Sequence, residues 1–197
     1  MSSERRETRT RILNAAWNLL EAGHGHGVRM SDIAKAAGIS RQAVYLNFPT
    51  RAELLIATTR HLDAVKNVDA RLAASRNAAS GRQRLEAFIE AWGNYIPEIH
   101  GVARALVAMM ETDEAAKAAW VDRMAAVREG CLAAVAALKK DGALSPDHNV
   151  SEATDILWSL LSVQTWEQLR LECGWSQRRY VRTLKQLASR VLIVDQA

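Results

Sequence analysis

Four polar side chains within residues 41–47 have the types and spacing that can read nucleic acid. An arginine can donate two hydrogen bonds to a guanine edge and a glutamine can bond to adenine, although either can contact a phosphate instead. In a helical period these side chains point away from Val44 and Phe48, the apolar positions of the stretch. The four are Arg41, Gln42, Tyr45 and Asn47.

Two short helices hinged at a glycine would position this segment. Gly38 can adopt the left-handed conformation that ends the first helix, and Ser40 can cap the second by accepting hydrogen bonds from its first amides. The pattern predicts a helix-turn-helix over about residues 29–48, whose second helix is a recognition helix for a major groove. The apolar positions that would let the helices pack are Ile33, Ala34, Ala37, Ile39, Val44 and Phe48.

The segment from about Thr8 to Leu55 resembles the DNA-binding domain of the TetR family of bacterial transcriptional regulators. The stretch Ala-Gly-Ile-Ser alone would be weak evidence for the family, but here all the matching stretches occur together at the family's spacing. The resemblance implies an all-α protein with an N-terminal three-helix helix-turn-helix domain, residues 1–55, and a C-terminal helical bundle for ligand binding and dimerisation, residues 56–197. The matching stretches are Arg11-Ile12-Leu13-Asn14-Ala15-Ala16, Asp32-Ile33-Ala34, Ala37-Gly38-Ile39-Ser40 and residues 44–54.

The resemblance also implies contacts to the phosphate backbone. Tyr45 matches the family tyrosine whose hydroxyl bonds to a phosphate. Thr8 lies at the start of the first predicted helix, residues 8–22, whose N-terminal end approaches the backbone in the family. Arg29 stands where the family has a hydroxyl, so this contact comes from Arg29 or Ser31. Leu46 and Asn47 replace a common aromatic residue and histidine, so the family's operator preference does not transfer.

A further phosphate contact is expected at the start of the fourth helix. Thr50 and Glu53 form a capping-box pattern, and Arg51 lies in the first turn beside amides that attract phosphate. The helix is predicted to continue to about Ala73. Residues 1–60 hold nine Lys or Arg against five Asp or Glu, whereas residues 61–197 hold seventeen of each. The positive excess of the DNA-binding segment fits a phosphate footprint.

Helical patterns continue to the end of the chain. A linker is expected at residues 75–81, and Pro97 is expected to end one helix or begin the next. A long amphipathic helix is predicted over about residues 113–140. The next predicted helix, from Ser151 to Glu172, is apolar around nearly its whole circumference. This pattern predicts that other helices pack against it on more than one side.

The last helix carries an apolar seam that suits a partner helix. Gly174 should end the preceding helix and Ser176 should cap this one. The seam spacing of four and three is typical of helices that pair, and the last two helices form the dimer interface in the resembled family. Completion of a monomeric core is the alternative. The predicted homodimer contacts are Leu160, Tyr180, Leu184, Leu187 and Val191.

The resemblance implies a pocket for a small-molecule effector in the C-terminal bundle. Large and adaptable side chains could line it and would suit a bulky, largely apolar ligand. The alternative is that these residues only fill the core, as aromatic and Met side chains at helical spacing commonly do. The candidates are Trp92, Tyr95, Met109, Trp120, Arg123, Trp158 and Trp166.

No enzyme motif is present: the sequence lacks Gly-x-Ser-x-Gly, a phosphate-binding glycine loop and His-Glu-x-x-His. His24 and His26 invite a metal site, but they have no cysteine or carboxylate beside them, so a loop is the preferred interpretation. Cys131 and Cys173 are expected to be reduced, packed thiols. Neither a cofactor nor a metal is expected, and without an apolar run of membrane-spanning length the protein is expected to be cytoplasmic.

Together these features predict a homodimeric, ligand-responsive transcriptional regulator, a repressor that binds a palindromic operator in double-stranded DNA. One alternative is an activator, or a regulator without an inducer. The other is a helical dimer that binds a small molecule and has vestigial DNA binding.

Overall fold

The computed structural model describes residues 3–23 and 28–194, and the chain divides into two compact units. The first unit comprises residues 1–67 and 99–124, and the second comprises residues 68–98 and 125–197. The fold class is all-α, as predicted. Among the described residues, no helix is long and apolar enough to cross a membrane.

Ten α-helices occur in the described ranges, and a single π-helical turn, Gln168–Glu172, follows the ninth. Helices α6 and α7 are long, and each contributes residues to both units. The helices are α1 (Ser3–Ala22), α2 (Met30–Ala37), α3 (Arg41–Asn47), α4 (Arg51–Val65), α5 (Val68–Arg76), α6 (Gly81–Met109), α7 (Glu114–Lys140), α8 (Val150–Leu160), α9 (Val163–Glu167) and α10 (Gln177–Leu192).

The core of the first unit joins the helix-turn-helix to α1 and α4. Each of these helices buries apolar side chains in the core, and this burial holds the helix-turn-helix in place. Residues of the 99–124 segment, including Leu106 and Ala116, complete the same core. The unit therefore extends past the predicted domain end at residue 55. Its largest fully buried side chains are Ile12, Leu20, Ile33, Phe48, Leu54, Leu55 and Leu106.

Helix α4 is shorter than predicted. It ends at Val65, and Asn67 adopts a left-handed backbone with φ of 55° before α5 begins at Val68. The predicted helix through Ala73 is therefore wrong, because a left-handed residue interrupts the backbone hydrogen bonding. Helix α1 starts at Ser3 rather than at residue 8.

Pro97 lies inside α6 and neither ends nor begins a helix, which corrects the prediction. Proline has no N–H to bond to the carbonyl four residues earlier, which here belongs to Gly93. The side chain of Gln177 donates to that carbonyl at 2.8 Å. Because a side chain from α10 takes the place of the missing N–H, α6 continues through the proline.

The single helix predicted from Ser151 to Glu172 is interrupted. Helix α8 ends at Leu160, and Ser162 begins α9 by accepting a hydrogen bond from the Thr165 amide at 3.1 Å. The carbonyl of Leu161 accepts from the indole of Trp92 at 2.8 Å. The predicted stop at Gly174 and the Ser176 cap are confirmed: Gly174 has φ of 68°, and the Ser176 hydroxyl accepts from the Arg179 amide.

Candidate nucleic-acid interface

The turn between α2 and α3 has the predicted chemistry. Gly38 adopts φ of 65° at the end of α2, a conformation in which a larger residue would be strained. Ser40 accepts a hydrogen bond from the amide of Ala43 at 3.1 Å and so begins α3. Val44 is fully buried, which fixes the rotation of α3 about its axis.

Two arginines of α1 hold the ends of the short helices. Arg11 donates to the carbonyl of Ala37 at 2.6 Å, and Arg9 donates to the carbonyl of Asn47 at 3.0 Å. Arg9 also lies over the Phe48 ring, 4.0 Å from its centroid. The last carbonyls of a helix have no partner within it, so these guanidinium groups supply one. Arg9 therefore has a positioning role.

The outer face of α3 remains open. Arg41 and Gln42 are exposed, and Tyr45 is 39% exposed. Arg41 donates to the Tyr45 hydroxyl at 3.4 Å, and this hydrogen bond raises the pKa of Arg41. Arg41 is a permanent cation, and Gln42 can donate and accept hydrogen bonds. This surface, which we call the α3 face and define as Arg41, Gln42, Tyr45 and Leu46, could therefore bond to both bases and phosphates.

Asn47 is used inside its own helix. Its side-chain amide donates to the carbonyl of Ala43 at 2.9 Å, and the residue is half-buried. This bond gives Asn47 a structural role at the end of α3, where the sequence predicted a DNA contact.

Arg51, a predicted phosphate contact, is engaged by other residues of the first unit. Its Nη1 atom lies 2.6 Å from the carboxylate of Asp113, and its Nε donates to the carbonyl of Val28 at 2.6 Å. A guanidinium held by a carboxylate and a carbonyl has fewer donors left for a phosphate, and phosphate contact by Arg51 remains a prediction. The sequence could not reveal this pairing, because Asp113 lies 62 residues further along the chain.

Two further ion pairs join α4 to α7 within the first unit. Arg60 bonds to Asp122 at 2.5 Å, and Asp63 pairs with Arg123. Burial alone would raise the pKa values of Asp113 and Asp122, but their arginine partners outweigh it and lower both below the ordinary value. Asp113 also accepts from the amides of Ala115 and Ala116, so it caps α7.

The helix-turn-helix domain is similar to a known family of proteins. Residues 12–58, which contain the helix-turn-helix and the start of α4, match the model described as bacterial regulatory proteins, tetR family. The helix-turn-helix segment of the chain is thus similar to the TetR family. Since this family consists of regulatory proteins, the match agrees with the prediction that the chain is not an enzyme.

One curated relative of this chain is the HTH-type transcriptional activator FasR of Mycolicibacterium smegmatis. The two are 34% identical over 93 residues, which are 47% of this chain and 42% of FasR. The chain thus spans less than half the length of this curated relative.

Solved structures share the fold over nearly the whole chain. A transcriptional regulator from Saccharomonospora viridis in complex with choline has a TM-score of 0.73 and 21% identity, covering 96% of this chain and 99% of the other. NalD of Pseudomonas aeruginosa, the secondary repressor of the MexAB-OprM multidrug efflux pump, has a TM-score of 0.70 and 23% identity, covering 99% and 100%. At these identities the similarity shows the TetR-like fold.

The other predicted DNA contacts lie near α1 and α2. Thr8 is half-buried. Arg29 and Ser31 are exposed, and both lie beside the carboxylate of Asp32, which accepts from the Arg29 amide at 3.3 Å and from the Ser31 hydroxyl at 3.5 Å. Phosphate contact by these three residues remains a prediction.

The seven predicted ligand residues do not belong to one unit. Met109, Trp120 and Arg123 lie in the first, where Met109 is buried and Trp120 packs on the helix-turn-helix core. Arg123 pairs with Asp63 and Asp122, which gives it a structural role. The four residues of the second unit are Trp92, Tyr95, Trp158 and Trp166.

In the second unit, Trp92 packs edge-on against Tyr95, with ring centroids 5.8 Å apart, and Tyr95 is buried. Trp166 is also buried and donates to the side chain of Gln177 at 3.1 Å. Trp158 is half-buried. An open groove of about 780 Å³ contains none of the predicted ligand residues; it is lined by Glu86, Glu90, Asn94, Gln177, Arg178, Val181, Arg182, Lys185, Gln186, Ser189 and Arg190.

The predicted dimer seam divides into two sets. Tyr180 and Leu184 are 0% and 1% exposed, so they belong to the core of their own unit. The prediction that these two residues contact a second copy is therefore wrong. Leu187 and Val191 are 40% and 37% exposed on α10, and Leu160 is half-buried at the end of α8. The exposed pair stays available to a second copy.

His24 and His26 lie outside the described residues. Within residues 3–23 and 28–194, no group of three or more His, Cys, Asp or Glu side chains could hold a metal ion. Both cysteines are free thiols. Cys131 is buried, which raises its pKa to about 12, but Cys173 is exposed, so the predicted packing of Cys173 is wrong.

Proposed function

We propose that this chain is a transcriptional regulator of the TetR family that binds a palindromic operator as a homodimer. The observation that carries the proposal is the α3 face: Arg41 and Gln42 project into solvent from a helix that is anchored in the core by the fully buried Val44. Arg11 and Ser40 fix the two helices around the turn, so the reading side chains are held before DNA arrives. Preorganised donors lose less conformational entropy on binding.

A second copy of the chain is the proposed partner of α10. Leu187 and Val191 lie one turn apart and expose apolar surface that a partner helix could cover. A two-fold dimer presents two α3 helices to half-sites about one helical turn apart, which accounts for a palindromic operator. A charged residue at position 187, as in Leu187→Glu, should dissociate the dimer in sedimentation experiments.

We infer that regulation is repression relieved by a small-molecule effector that is bulky and largely apolar. Repression requires only that the bound dimer occupies a promoter, so the DNA-binding surface alone can supply it. Four aromatic residues of the second unit, Trp92, Tyr95, Trp158 and Trp166, would contact such an effector. The relatives include both an activator, FasR, and a repressor, NalD, so a promoter–reporter assay must determine the sign.

Selection of bound DNA from a random pool by the purified chain tests the proposal. We expect an enriched palindrome whose binding weakens steeply as salt rises, because several phosphates are neutralised at once. Arg41→Ala should change which sequence is preferred, whereas Tyr45→Phe should weaken binding to all sequences alike. Failure to enrich any sequence at low salt would overturn the proposal and favour the alternative of a small-molecule-binding dimer with vestigial DNA binding.

A further inference from the structure

One residue of the α3 face cannot form hydrogen bonds. Leu46 is 70% exposed, more than any other large apolar side chain in the described ranges. Its apolar neighbours Val44 and Phe48 are buried. A single exposed leucine is ordinary on most surfaces, but here the exposed Gln42 and Tyr45 of the same helix carry hydrogen-bonding groups. Because its exposed side chain does not pack in the core, Leu46 is available to contact a partner.

The spacing of α3 pairs Leu46 with Gln42. Residues four apart lie on the same side of a helix, one turn from each other. The other such pair, Arg41 and Tyr45, is engaged internally by the 3.4 Å hydrogen bond and by the guanidinium 5.5 Å from the ring centroid. The α3 face thus consists of a polar stripe, Arg41 and Tyr45, beside a mixed stripe, Gln42 and Leu46.

A major groove contains one kind of apolar group on its base edges, the C5-methyl group of thymine. We propose that Leu46 is a specificity-determining residue that covers a thymine methyl next to the base read by Gln42. The assignment rests on the proposed DNA-binding function. The four residues from Gln42 to Leu46 advance about 6 Å along the helix, and base pairs rise about 3.4 Å each, so the thymine lies within about two base pairs of the Gln42 contact. Because glutamine favours adenine, each half-site should contain two A·T pairs this close together.

Replacing single thymines by deoxyuridine tests this assignment, because the replacement removes the methyl group and keeps every hydrogen-bonding atom. The selected palindrome is synthesised with deoxyuridine at each thymine in turn, at symmetric positions of both half-sites. We expect one position at which the wild-type chain binds about three- to tenfold more weakly per half-site, the effect of losing burial of about one methyl group. Leu46→Ala should bind the thymine and deoxyuridine duplexes equally at that position.

Two variants serve as matched controls. Leu171→Ala removes another exposed leucine, 57% exposed in the π-helical turn, and should keep the full deoxyuridine penalty. Gln42→Ala should weaken binding but also keep the penalty at the Leu46 position. Because Leu46 is exposed, Leu46→Ala should melt at the wild-type temperature, which separates a lost contact from a lost fold.

The outcomes separate this assignment from the proposed function. If the wild-type chain binds a palindrome and every deoxyuridine duplex equally well, the assignment is wrong and the DNA-binding function stands. If Leu46→Ala keeps the penalty, another residue covers the methyl group and the assignment is also wrong. If no sequence is enriched, the proposed function fails, and the assignment fails with it.

Discussion

Helices α3 and α10 are each predicted from sequence to present a face to a partner, DNA for α3 and a second copy for α10. In α3 the predicted base-reading residues, Arg41 and Gln42, are exposed. In α10 the predicted seam is split: Leu184 is buried in its own unit, whereas Leu187 is 40% exposed. In α3 the polar residues opposite Val44 show which side of the helix faces outward. In α10 an apolar seam alone does not show whether its residues pack in the chain's own core or against a partner.

Truncation of the two leucines should give the largest contrast. Leu184→Ala should lower the free energy of unfolding by about 2–5 kcal/mol, because it leaves a cavity in a closed core. Leu187→Ala should change the unfolding of the monomer little and should weaken self-association instead. Denaturant titration at low protein concentration, with sedimentation of the same samples, separates the two effects. Equal losses of monomer stability would contradict the division of α10 into a core side and a partner side.

The corresponding test on α3 is Gln42→Ala. Loss of one bidentate base contact should cost about 1–3 kcal/mol of operator affinity without a change in the melting temperature. Gln83→Ala, at an exposed glutamine of α6, is the matched control and should bind as the wild type does. A Gln42 variant that keeps both affinity and sequence preference would remove this residue from the reading surface.

Features fixed by neighbouring residues could be predicted from the sequence. Gly38 and Ser40 shape the turn through their own backbone and side-chain chemistry, so their roles follow from residue type. Pro97 could not be interpreted in this way, because its tolerance depends on Gln177, which bonds to a carbonyl 84 residues away in the chain. Arg51 likewise has the residue type and position of a phosphate contact, and only the fold shows its bond to Asp113.

Tyrosine hydroxyls provide a finer comparison of the two helices. The hydroxyl of Tyr180 on α10 is buried and has no hydrogen-bond partner among the described residues, whereas that of Tyr45 on α3 accepts from Arg41 at the surface. Tyr180→Phe removes an unsatisfied buried polar group and should raise the free energy of unfolding by about 1 kcal/mol. Tyr45→Phe should leave stability unchanged. A loss of stability in Tyr180→Phe would indicate a hydrogen bond at that hydroxyl.

The smallest expected effect concerns the ion pair between Arg51 and Asp113. Burial alone would raise the pKa of Asp113, but Arg51 and two backbone amides outweigh it, so the folded pKa lies below the ordinary value of 3.8. A carboxylate with a lowered folded pKa stabilises the protein above its unfolded pKa, and this stabilisation is lost as the pH falls through the folded value.

Asp113→Asn isolates this charge, because asparagine can still cap α7. The variant should lose roughly 1 kcal/mol of unfolding free energy at about pH 7 and converge with the wild type at about pH 3. Asp69→Asn, at a side chain that is 91% exposed, is the matched control, and the measurement is urea denaturation across the pH range. If the difference between Asp113→Asn and the wild type were the same at every pH, the pairing would contribute through shape rather than charge.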